Sequence, residues 1–158
     1  TVRGGTRGAF LVQLAHGAAL VHVAEAVRGA QRALFQQQHL QPGKSQDLGG
    51  HAVLVRTDHS AAWGTDAYFE AHPHLSATTA DALVAAGVAC VGIDSLNIDG
   101  TGEPTRPVHS TLLGAEIPII EHLTGLDALP AAGFTFTAVP PKIEGAGTFT
   151  VRAFATVA

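Results

Sequence analysis

A chain of 158 residues with 46% hydrophobic and 14% charged side chains is long enough to bury a single core, and its composition argues against disorder. The formal net charge is -4, and Lys and Arg are scattered singly, which leaves no electrostatic footprint for nucleic acid or an anionic membrane surface. One cysteine, Cys90, excludes an intrachain disulfide and a multi-cysteine zinc site; its setting, Val-Ala-Cys-Val-Gly-Ile, reads as a small buried hydrophobe. At the start, Arg3 and Arg7 precede the apolar stretch Ala9 to Ala24, which loosely mimics a secretory signal. Gln13, His16 and His22 inside that stretch count against it and exclude a membrane span, so a soluble cytoplasmic protein is expected. With no Met anywhere, the chain is expected to be processed, truncated or incompletely recorded.

Leu20, Val23, Ala24, Val27, Ala30, Leu34 and Phe35 recur with helical spacing, and Glu25, Arg28 and Arg32 fall between them, so a helix is expected over 20–35. Gln36 to His39 and Gln41 to Ser45 break that pattern and read as a linker. Ala52 to Val55 is a short apolar run suited to a buried strand. Ser76 can cap a helix running through Thr79, Ala82, Leu83 and Ala86 to Gly87, and Val88 to Ile93 follows as a second buried strand. This strand–helix–strand unit marks α/β architecture. Phe134 to Val139 alternates before Pro140-Pro141, and Phe149 to Val157 alternates again, so the two predict paired strands around a loop at Glu144 to Gly147. The expectation is one α/β domain over 1–158 with a mixed sheet, strands outnumbering helices.

His109 and Glu121 are the candidate site. His109 opens a short segment that Gly114 ends, and Glu121 closes the apolar run Ile117 to Ile120, which reads as a strand. An imidazole and a carboxylate are standard ligands for a borderline divalent cation. A turn of helix folding back beside a strand can bring both to one point, and a carboxylate at the end of a buried strand needs a cation or a hydrogen-bond donor. His122 should point to the opposite face and take a structural role. Asp94 and Asp99 flank a turn and read mainly as capping and turn residues. Trp63, Tyr68 and Phe69 suit either an aromatic-substrate pocket or a loop anchor. His72 and His74 around Pro73 read as a solvated turn, and His51 and His59 show no diagnostic spacing. Neither a phosphate-binding loop nor a Gly-x-Ser-x-Gly nucleophile elbow is present.

Six blocks in order carry a resemblance: Trp63 to Phe69, Val91 to Asp99, His109 to Gly114, Ile117 to Leu123, Leu126 to Pro130 and Pro141 to Glu144. Over about Gly49 to Val157 the chain resembles the cyclase family that includes bacterial kynurenine formamidases and isatin hydrolases. The resemblance implies a swivelling β/β/α domain with one or two divalent metals, zinc or manganese, hydrolysing amide-type bonds of small aromatic or cyclic substrates. It sets His109 and Glu121 on the two downstream metal ligands, and it implies a homodimer or homotetramer. The upstream family signature, His-x-Gly-Thr-His-x-Asp-x-Pro-x-His, is not matched. Its closest alignment sets Val12, His16, Ala18, Leu20 and His22 on the first His, second His, Asp, Pro and last His. That makes His16 the candidate third ligand and His22 the candidate base. Residues 1–47 are thus an atypical N-terminal segment. A divergent replacement, a deletion completed by a partner chain, and an out-of-frame reading are the three origins in play. A catalytically inactive homologue acting in binding or assembly is the alternative to the hydrolase.

Overall fold

The computed structural model describes the backbone of residues 18–22 and all of residues 48–157. Four parallel strands form one sheet in the order β1-β2-β3-β4: β1 (Ala18–His22), β2 (Ala52–Arg56), β3 (Cys90–Ile93) and β4 (Ile119–Ile120). Two further strands, β5 (Phe134–Val139) and β6 (Arg152–Val157), pair antiparallel in a separate ribbon, Phe134 opposite Val157 and Val139 opposite Arg152. Parallel and antiparallel strands are both present, divided between two sheets. Helix α1 (Ala77–Ala85) connects β2 to β3, and helix α2 (Pro107–Gly114) connects β3 to β4. Among the described residues no helix is long and apolar enough to cross a membrane.

The period-two alternation of β2 decides the layering. Val53 and Val55 face one way, where they join Val91 and Ile93 of β3, Leu75, Ala80 and Leu83 at α1, and Val108 and Leu112 of α2. Ala52 and Leu54 face the other way and pack with Leu123, Leu126, Phe134 and Phe136 beneath the β5–β6 ribbon. Helices, parallel sheet and antiparallel ribbon therefore stack as three layers around two apolar interfaces. Burying each Leu, Ile or Phe side chain contributes about 1.5–3 kcal/mol. Gly92 lies where β3 meets the ribbon side: an added Cβ would come within 2.7 Å of Leu54 Cδ2 and Leu123 Cδ1.

The expected helix–strand boundaries hold through the centre of the chain. Ser76 accepts a hydrogen bond from the Thr79 amide at 3.2 Å as the cap of α1, and Gly87, at φ 68°, lies just beyond its end. The first 35 residues require a correction. Leu20, Val21 and His22 are strand, not helix, with Leu20 in parallel register with Leu54 and His22 with Arg56. An apolar stretch this short satisfies either period, and pairing along the free edge of β2 decides it. The rest of the expected helix, 23–35, and the linker lie outside the described residues.

Candidate functional site

All four parallel strands present their C-terminal ends on one side, and the polar groups of the chain gather there, as in other open α/β sheets. Three segments build the site: the loop after β3, which carries Asp94 to Asp99; the first turn of α2, which carries His109; and the residue after β4, Glu121.

Helix α2 starts with Pro107 at its first position, preceded by Arg106 in a left-handed conformation (φ 44°) with no side-chain cap of its own. Its orphan N–H groups are instead served by a residue from the preceding loop. Asp99, 2% exposed, accepts from the Val108 amide at 2.8 Å through Oδ1 and from the His109 amide at 2.9 Å through Oδ2. The same Oδ2 stands 2.7 Å from His109 Nδ1. Burial pushes the Asp99 carboxyl upward, but the His109 amide and ring, with the Val108 amide, outweigh it and hold the group below the usual carboxylate range. A carboxylate accepting from Nδ1 fixes the ring tautomer: Nδ1 carries the proton, and Nε2 presents its lone pair.

That lone pair faces Glu121. Nε2 lies 3.4 Å from Glu121 Oε1, and Oε1 also accepts from the Ile98 amide at 2.7 Å. Both side chains are partly buried, His109 at 15% and Glu121 at 21% exposure. The pair fits an ion: two bonds of ~2.0–2.2 Å meeting at a tetrahedral angle set their donor atoms ~3.4 Å apart. Among the described residues no third His, Cys, Asp or Glu joins the pair in a ligand group of three. Arg106 closes the other side, with Nη2 donating to Nε2 at 2.8 Å.

The other sequence candidates fall into two sets. Asp94 binds the turn after β2, accepting from the Thr57 amide and hydroxyl at 2.7 Å each and from the Asp58 amide at 2.9 Å. Its expected turn role agrees with this. Around Glu121, an aromatic group packs on the loop. Tyr68 is 1% exposed; its hydroxyl is 3.0 Å from His122 Nδ1, and Trp63 meets its ring edge-on at 4.9 Å. Burial first, then the Asp94 and Glu121 charges, push the Tyr68 phenol up to about 12. His122, at φ 59°, is exposed and bridges from β4 to this aromatic group. The solvated reading of His72 is corrected: it is 6% exposed, and its Nε2 donates to the Asp99 carbonyl at 3.1 Å, while His74 is exposed. His59 stacks on Tyr68 at 4.9 Å. Cys90 is partly buried, and desolvation raises its thiol to about 11. His22 has its backbone at the C-terminal end of β1, three strand positions from β4. His16 lies outside the described residues.

Asp99 has the capping role expected of it, at the start of α2; its reach to the His109 ring and the placement of Arg106 are what sequence reasoning left unplaced. One signal was available for Asp99: a helix opening with Pro107 after Arg106 has no capping side chain next to it, so an acceptor must come from elsewhere. Arg106 left no comparable signal.

Comparison with known proteins gives the family and the fold. A family model described as "Putative cyclase" matches residues 8–100. The chain belongs to this family. The matched span takes in His16 and His22 and stops short of His109 and Glu121. The chain is 34% identical over 120 residues to an isatin hydrolase of Roseibium aggregatum, covering 68% of this chain and 45% of the relative. It is 32% identical over 103 residues to a kynurenine formamidase of Bordetella petrii, covering 64% of this chain and 47% of the relative. Isatin hydrolase A from Ralstonia solanacearum superposes with a TM-score of 0.67 at 26% identity, covering 90% of this chain and 55% of that structure. The chain thus spans about half the length of the curated relatives it matches, and it has the fold of the cyclase-like hydrolases.

Proposed function

We propose that this cyclase-family chain is a metal-dependent amide hydrolase of the arylformamidase type, using zinc or manganese. Its substrate would be a small aromatic or cyclic amide such as N-formylkynurenine. The observation that carries the reading is the 3.4 Å approach of His109 Nε2 to Glu121 Oε1, with Nδ1 held by Asp99. An imidazole oriented by one carboxylate, with a second carboxylate at bonding distance from one point, is the donor chemistry a divalent cation needs. The N-terminal segment would complete the set, with His16 as third ligand and His22 as the proton-accepting base. A cation held there supplies Lewis acidity toward a carbonyl and toward water. In the reaction, water adds to the formyl carbonyl, the C–N bond breaks, the proton passes to the departing amine, and formate and the free amine result. Asp99 keeps the His109 ring aimed through Nδ1, while Tyr68, its phenol neutral to about 12, stays a hydrogen-bond partner and not a competing charge. The protein acts as a cytoplasmic homodimer or homotetramer in this reading.

Elemental analysis joined to a formate-release assay tests it. Purified protein should carry zinc or manganese and release formate, and His109→Ala should lose both. Full metal content and full activity in His109→Ala would refute the ligand assignment. One observation favours a second reading, a non-catalytic homologue acting in binding or assembly: the Arg106 guanidinium, 2.8 Å from Nε2, already sets a cation against the lone pair. Protein that takes up no metal and releases no formate would decide for that reading.

A further inference from the structure

We propose that Arg106 is a specificity-determining residue that receives a carboxylate of the substrate or product beside the His109–Glu121 pair. The inference rests on the reading of that pair as a metal site.

A guanidinium offers five N–H donors in a planar fork. Here the contacts made by the Arg106 guanidinium are to one ring, Nη2 to His109 Nε2 at 2.8 Å and to Nδ1 at 3.2 Å. Nδ1 gives its proton to Asp99, so only the Nε2 contact is a donation that the ring can accept. No carboxylate pairs with Arg106 among the described residues, although three carboxyl groups are near. Asp99 is engaged by Val108 and His109, Glu121 by Ile98 and His109, and Glu103 by Thr105. The fork therefore stands at the pair without an anion in it.

The backbone sets this placement. Arg106 is exposed and left-handed at φ 44°, a conformation side-chain-bearing residues avoid, and Pro107 fixes the first turn behind it. When a cation takes the Nε2 lone pair, the guanidinium must leave that atom. Its whole fork is then open to an anion at the same mouth. The three formal carboxylate charges of Asp94, Asp99 and Glu121 exceed those of a divalent ion on the pair by one, so an anionic substrate gains from a further cation at the mouth. Arg–carboxylate pairing supplies that cation with a directional, two-bond geometry that a Lys would not reproduce.

Calorimetric binding of benzoate, with benzamide as its neutral isostere, to zinc-loaded and zinc-free protein tests this. Benzoate should bind the wild type, Arg106→Gln should weaken it roughly tenfold or more, and Arg106→Lys should fall between. Benzamide affinity and the zinc stoichiometry should stay unchanged in both variants. Benzoate affinity within twofold of wild type in Arg106→Gln, equal losses for benzoate and benzamide, or no benzoate binding to the wild type would each overturn the proposal. The metal reading fails separately, through absent zinc uptake, and the Arg106 dependence of benzoate is read in either metal state.

Discussion

Replacing Asp99 by Asn probes the element on which His109 depends. The carboxylate accepts three hydrogen bonds, from two amides at the start of α2 and from His109 Nδ1, and it is 2% exposed. An Asn of the same shape has one carbonyl oxygen, so it can serve at most part of that set, and its amide N–H then faces a donor. The loss combines a charge-assisted hydrogen bond, about 1.5–3 kcal/mol, with a weakened helix cap, about 0.5–2 kcal/mol. Together these give roughly 2–5 kcal/mol, or a melting temperature lower by roughly 4–20 °C for a domain of this size. The pH dependence separates this from general damage. Because the folded Asp99 carboxyl titrates below its unfolded value, its contribution is fully present above the ordinary carboxylate pKa and disappears as pH falls through the folded one. Wild type and Asp99→Asn should therefore differ at neutral pH and converge in acid, measured by urea unfolding across the acid range. Zinc affinity should fall about 10- to 100-fold, since the imidazole loses its orienting partner. A variant as stable as wild type at neutral pH, with unchanged zinc affinity, would refute the reasoning.

Two single-copy residues give further direct readings. Tyr68 is the chain's only tyrosine, so the ultraviolet phenolate signal reports it alone. Its ionisation should appear near pH 12 in the folded protein and near pH 10 in denaturant, with stability falling as pH climbs between the two; a folded-state step at 10 would contradict the burial seen here. Cys90 is the only cysteine, and its thiol is raised to about 11. At pH 8 it should react with a disulfide reagent far more slowly in the native protein than in denaturant; equal rates would show that the thiol is not desolvated.

Strands β2, β3, β5 and β6 and helix α1 were legible because each announces itself locally, by an apolar run, an alternation, or a Ser cap with a Gly stop. Strand β1 was not, because Leu20 to His22 satisfies a helical period as well as a strand one until β2 is there to pair with it. At the site, the meeting of His109 and Glu121 followed from a helix and a strand folding back together. What escaped were contacts between segments distant in sequence. Asp99 reaches α2 only because the loop after β3 returns over the helix start, and His72 is buried only because it finds the Asp99 carbonyl. Arg106 reads as an ordinary surface cation until the left-handed turn before Pro107 points it at the imidazole.

Sharing of one ion by His109 and Glu121 separates a metal-dependent hydrolase from a non-catalytic relative. Zinc titration of the wild type, His109→Ala and Glu121→Ala, with crystallographic anomalous scattering at the zinc edge, asks this most directly. One scatterer should lie about 2.0–2.2 Å from both Nε2 and Oε1, and each variant should lose zinc. Zinc bound elsewhere, or retained in full by both variants, would contradict that sharing.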